Sequence, residues 1–168
     1  MNITGLGDPN ATLSVYIENI PPLVQYQTLQ TCQPMQKGEI QFIAEQTGNH
    51  WRKIFNVYAK FIYQLMSPKF TSWQQFRDEQ LLQTGSQQNL LFNLPATMII
   101  NNFSSKKISI VMGKSYATKL GLAQHCQWLS PSFAINTEHK LIICPYFDYR
   151  QLSNKKITEL CQLIRSLD

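Results

Sequence analysis

The 168-residue chain is 43% hydrophobic and 11% aromatic, a composition that excludes global disorder. A chain of this length buries roughly 70% of the surface its unfolded form exposes and needs no disulfide or metal to fold. Fifteen Lys and Arg against ten Asp and Glu leave a net charge of +5, which is compatible with a polyanion partner and too mild to demand one.

Cys32, Cys126, Cys144 and Cys161 show no paired spacing and read as reduced thiols. Residues 1–20 carry no basic stretch followed by an apolar one, and nowhere do about 18 apolar residues run together. The expectation is one cytoplasmic domain over residues 1–168 with no membrane span.

In chain order, Leu13 to Ile17 form a β-prone run that must stop at Pro21 and Pro22, neither of which can donate to a ladder. Ile40, Ile43 and Ala44 mark a short helix within Met35–Gln46, stopped by Gly48. Trp51, Ile54, Val57, Tyr58, Phe61, Ile62 and Leu65 then give a second helix one broad apolar face, ended by Pro68. Ser72 and Gln75 make a capping box, and the helix they open is expected to run to Gly85.

Residues 90–103 stay open between two readings. Either Leu90–Phe92 is a strand followed by a helix over Ala96–Phe103, or Met98–Ile100 is the strand. Ile108–Met112 is a strand, followed by Gly113, Lys114 and a helix capped by Ser115 and ended by Gly121. Leu141–Cys144 is apolar without polar alternation, which predicts a strand buried on both faces. The dense cluster Pro145 to Gln151 follows it, and Ser153 caps a closing helix with Ile157, Leu160, Cys161 and Ile164 inward.

The economical architecture is a three-layer α/β domain with a parallel four-stranded sheet between helices. Ligands of such sheets collect at the carboxyl ends of the strands. That edge is expected to gather Glu18, Asn19, Lys114, Tyr146, Phe147, Asp148 and Arg150. Glu18 or Asn19 could orient a water, Tyr146 and Phe147 could stack on a planar ligand, and Arg150 with Lys155 and Lys156 could hold phosphate. The structural alternative makes Asp148 and Arg150 an ion pair and the aromatics a core edge.

Other chemistries find no support. Gly113-Lys114-Ser115 lacks the glycine a phosphate loop needs five residues before its Gly-Lys pair, where Ile108 stands. His50, His125 and His139 have no zinc-ligand spacing, no serine sits in a nucleophile elbow, and Cys144 lies inside a buried strand. No metal or cofactor is expected.

Four stretches, in order, resemble the mismatch-specific branch of the uracil-DNA glycosylase superfamily. Val15 to Leu23 is similar to that branch's first strand and its G-x-N-P-G motif, with Ile20 as an extra residue between Asn19 and the proline. Thr47 to Ile54 resembles its P-x-N-R-F-W-K stretch, and Ile110 to Ala117 its L-L-G-K-x-A strand and turn. Ile142 to Asp148 stands where the family carries its last strand and an H-P-S or N-P-S motif, replaced here by Tyr146, Phe147 and Asp148.

The resemblance implies a glycosylase-like fold with strand order 2-1-3-4 and a departed active site. Asn19, Tyr146 and Asp148 then occupy the positions of the family's catalytic groups. It implies a protein that binds DNA or a nucleotide; the alternative is a catalytically silent protein-interaction module on the same fold. It also places Asn49 and His50 in one cleft with Asn19 and Tyr146, with Arg52 at the rim. Against this stands a solvated first turn in which Asn49 is a plain N-cap.

Overall fold

The computed structural model describes residues 3–168. The chain opens with two short strands, β1 (Thr4–Gly7) and β2 (Leu13–Tyr16), one helical turn, α1 (Val24–Gln27), and a two-residue strand, β3 (Cys32–Gln33). After β2 the two prolines end the extended run, and the Leu23 N–H turns back to the Pro21 carbonyl at 2.7 Å. Three helices follow: α2 (Glu39–Thr47), α3 (Asn49–Met66) and α4 (Trp73–Glu79). Ser72 Oγ accepts the Gln75 N–H at 3.1 Å, satisfying one of the orphan donors at the start of α4. That helix stops short of the expected Gly85, because Leu81 and Leu82 turn into the core, Leu82 in a left-handed conformation.

The open reading of residues 90–103 resolves in favour of a strand at its start, β4 (Gln88–Phe92). The helix expected after it does not form beyond one 3-10 turn, Ile100–Asn102. Next come β5 (Ile108–Met112), α5 (Lys114–Lys119), a hairpin of β6 (Gln127–Trp128) and β7 (Ala134–Asn136), β8 (Leu141–Cys144) and α6 (Asn154–Ser166). Gly113, not Ser115, is the N-cap of α5, so Ser115 lies inside that helix. Ser153 does cap α6, accepting the Lys156 N–H at 3.4 Å.

Among the described residues, eight strands form one sheet, in the order β3-β1-β4-β2-β5-β8-β7-β6. Its centre, β4-β2-β5-β8, is parallel throughout, and β5 and β8 are direct neighbours with Ile110 opposite Ile142. Numbered among themselves, those four strands stand in the order 2-1-3-4. The sheet as a whole departs from the expected parallel four-stranded one, since β1 runs antiparallel to β4 and β7 antiparallel to β8. The added strands were silent in the sequence for physical reasons. β3 and β6 are two residues long, and β1 contains Gly5, where any Cβ would collide with the Leu90 carbonyl of β4.

Side chains alternate across the sheet. Leu13, Val15, Leu90, Phe92, Ile110, Met112 and Ile142 meet α2, α3, α4 and α6 on one face. Tyr16, Leu91, Val111 and Ile143 meet Tyr116 and Ala117 of α5, with Phe103 and Leu122, on the other. Helices therefore cover both faces of an α/β sheet. The long helix α3 supplies most of the first layer, and its fully buried Ile54, Phe61 and Ile62 are each worth about 1.5–3 kcal/mol relative to exposure. Among the described residues no helix is long and apolar enough to cross a membrane, and the four cysteines form no disulfide.

Candidate functional site

Because β2, β4, β5 and β8 run parallel, their carboxyl ends emerge on one edge, and the loops leaving them share it. The loop after β2 carries Asn19, the loop after β8 carries Tyr146, and the first turn of α3 carries His50. These three meet. The Tyr146 hydroxyl donates to Asn19 Oδ1 at 3.0 Å and lies 2.9 Å from His50 Nε2. Whether Nε2 donates or accepts in that contact is set by the imidazole tautomer. The His50 and Tyr146 rings also stack, with centroids 5.7 Å apart and planes 16° from parallel.

Tyr146 is half-buried, and desolvation pushes its phenol well above the ordinary range, with Glu18 and Asp148 adding to the effect. It acts as a neutral hydrogen-bonding group, not as a phenolate.

Beside it opens a cleft of about 380 Å³ between β5, β8 and the β6–β7 hairpin. Its walls include three cations, Lys114, Arg150 and Lys156, together with Trp128, Ser132 and Tyr146, and no carboxylate. Lys114 Nζ stands 5.0 Å from the centre of the Trp128 ring. The nearest acid in sequence, Asp148, is turned to other work. It accepts the Arg150 backbone N–H at 2.9 Å and pairs with Lys53 at 3.8 Å and Arg150 Nε at 3.6 Å. The Arg150 backbone N–H, with help from the charges of Lys53 and Arg150, holds its carboxyl below the usual carboxylate range.

Several expected site residues lie elsewhere. Phe147 does not border the cleft: it is fully buried, edge-on to Tyr58 and Phe61 at 5.5 and 6.3 Å, because successive residues leaving the strand point to opposite sides and Tyr146 takes the open one. Glu18 forms an exposed ion pair with Lys119 at 2.6 Å. Asn49 is not the N-cap of α3; Gly48 is, and Asn49 Oδ1 accepts from Arg52 at 3.0 Å. Arg52 itself lines a small groove with Gln41, Asn56 and Arg77 among α2, α3 and α4. Among the described residues, no side-chain hydrogen bond joins Asn49 or Arg52 to Asn19 or Tyr146, whereas His50 lies within hydrogen-bond distance of Tyr146.

Sequence reasoning missed Trp128, Ser132 and Lys119. The turn residues Ser130, Pro131 and Ser132 were a hairpin signal, though a two-residue strand offers no periodicity to confirm it. Among the described residues no three His, Cys, Asp or Glu side chains cluster as metal ligands.

A family model described as a family of unknown function, DUF6942, matches residues 4–165, nearly the whole chain, and the chain belongs to that family. Neither a curated protein nor a solved structure matches it.

Proposed function

For this member of DUF6942 we propose a glycosylase-like protein that binds a phosphorylated nucleobase ligand, a nucleotide or DNA, in the cleft at the carboxyl edge of the sheet. One observation carries the reading: Lys114, Arg150 and Lys156 surround one cleft that no carboxylate lines. Lys114 and Lys156 have no carboxylate within 4.0 Å among the described residues, and the one that pairs with Arg150, Asp148, does not line the cleft, so the wall favours an anion. The parallel core in the order β4-β2-β5-β8 supports the glycosylase-like layout.

Binding, not base excision, is the activity these groups favour. Hydrolysis of a glycosidic bond needs a group to orient or activate water. Asn19 Oδ1 is engaged by the Tyr146 hydroxyl, and Glu18 by Lys119. Asp148 is held by Lys53 and Arg150.

Fluorescence anisotropy with labelled single- and double-stranded oligonucleotides at 50 and 200 mM salt, as order-of-magnitude conditions, tests the reading. Binding that uses three cations should weaken by roughly an order of magnitude or more over that range. No binding at low salt favours the second reading, a protein-interaction module. That reading draws on Leu129, 50% exposed beside Phe133 and Leu163 in an apolar groove between the β6–β7 hairpin and α6.

A further inference from the structure

The aromatic groups near the cleft differ in what covers them. Phe147 is sealed in the core, and Tyr146 has one ring face stacked on His50. Tyr149 lies under two cations, Lys53 at 5.3 Å and Arg150 at 5.7 Å. Trp128 alone lines the cleft with a half-exposed ring whose neighbouring cation, Lys114, is a flexible ammonium with no carboxylate within 4.0 Å among the described residues. An ammonium held by an aromatic face alone is weakly held, and a phosphate would draw it away.

The hairpin that carries Trp128 lies outside the parallel core, added antiparallel beyond β8. Trp128, Pro131 and Ser132 of the hairpin line the same cleft as Arg150 and Lys156. The cleft thus offers both a planar apolar surface and charge.

We propose that Trp128 is the base-stacking platform of the cleft and Lys114 its phosphate partner, so that the ligand is a single nucleotide unit, its base on the indole and its phosphate among Lys114, Arg150 and Lys156. The Lys114 ammonium, 5.0 Å from the ring centre, rests near the indole the base would use. The inference rests on the anion-binding reading and deepens it. A volume of about 380 Å³ lies near the lower end of small-ligand sites and suits one unit, not a duplex. The unit can be a free mononucleotide or one nucleotide of a single strand. Base stacking is sequence-tolerant, since every base has a π-face, so purines and pyrimidines both bind.

The full chain is titrated with AMP, UMP, inorganic pyrophosphate, a ten-residue oligo(dT) and its duplex, following tryptophan fluorescence and calorimetric heat. Of the three tryptophans Trp51 is buried and Trp73 lies on α4, so a change lost in Trp128→Phe reports the cleft. Trp128→Ala should weaken nucleotide binding by about ten-fold or more while leaving pyrophosphate binding in place. Trp128→Phe should retain most of the affinity, and Lys114→Met should weaken nucleotides and pyrophosphate alike. Far-ultraviolet circular dichroism and melting check that each variant folds.

Binding of oligo(dT) that depends on Trp128, without mononucleotide binding, supports the platform and assigns the source to a strand. Pyrophosphate binding with nucleotide affinity indifferent to Trp128→Ala overturns the platform and leaves the anion site. Binding of neither pyrophosphate nor any nucleotide overturns both.

Discussion

The phenol oxygen of Tyr146 lies 2.9 Å from Nε2 of His50, a contact between residues 96 positions apart that ties the loop after β8 to the first turn of α3. Through the same oxygen Tyr146 reaches Asn19, so one hydroxyl joins two loops of the carboxyl edge to a helix. Tyr146→Phe removes both hydrogen bonds and keeps the ring stack. A typical bond contributes about 0.5–1.5 kcal/mol, and exposed His50 and Asn19 regain water, so a loss of about 1 kcal/mol is expected in urea unfolding. A double-mutant cycle with His50→Ala should return a coupling of at least ~0.5 kcal/mol. Additive losses would show that the contact carries no energy.

Phe147 separates a core role from a ligand role. Packed against Tyr58 and Phe61 at zero exposure, it should cost about 3–5 kcal/mol when cut to alanine. Phe147→Leu keeps most of the volume and should cost less, with nucleotide affinity unchanged. A stable Phe147→Leu protein that loses ligand would return Phe147 to the binding site.

The parallel core was legible because β5 and β8 are buried on both faces and so are written as apolar runs, Leu141–Cys144 without a break and Ile108–Met112 with Ser109 as its one polar residue. The sheet's outer strands were not, since β1 is half glycine and β3 and β6 fall below the length at which a period exists. Asn19 and Tyr146 were legible as the polar residues that follow two strands of one parallel core, β2 and β8, which flank β5. Trp128 was hidden because the hairpin carrying it turns back antiparallel, a choice made by tertiary packing rather than by local pattern. The aromatic cluster after β8 reads as one group in the sequence, whereas Phe147 is buried in the core and Tyr146 lines the cleft.

Acid should expose the Asp148 contacts. Its carboxyl is held below the ordinary value by the Arg150 backbone N–H and by the Lys53 and Arg150 charges. A folded pKa below the unfolded one means the unfolded state binds more protons, so this stabilisation is present above the ordinary carboxylate pKa of about 4 and lost as pH falls through the folded value. Melts of wild type and Asp148→Asn from pH 6 downward should show the gap between them closing with acid. A gap constant to pH 2 would remove Asp148 from the acid limb.

Alkali acts with the opposite sign. Burial pushes the thiols of Cys32, Cys126 and Cys161 up to about 11 and raises the phenols of Tyr26, Tyr58 and Tyr146 well above 10. Each group holds its proton longer when folded. The linked stability is therefore full below the unfolded pKa values, about 9 for the thiols and 10 for the phenols, and is lost as pH rises beyond them. Tyrosinate absorbance and circular dichroism followed together above pH 10 should change in one cooperative step for these phenols. Full tyrosinate absorbance with the native dichroism intact would contradict their burial.

Gly48 and Asn49 reverse the roles that sequence suggests for the start of α3. Gly48 is its N-cap, with φ 97° and ψ −161°, a region that essentially only glycine occupies. Nothing lies within 4 Å of a Cβ built there, so a substitution meets no clash, and its cost is the backbone strain alone. Gly48→Ala should lose about 1–3 kcal/mol, whereas Asn49→Ala removes only a contact to exposed Arg52 and should stay within about 0.5 kcal/mol. The same junction aims the first turn of α3, and with it His50, at Tyr146. Gly48→Ala should therefore also shrink the His50–Tyr146 coupling energy in the double-mutant cycle. If Asn49→Ala proves the costlier of the two, Asn49 is the cap and the helix starts one residue later than the backbone here indicates.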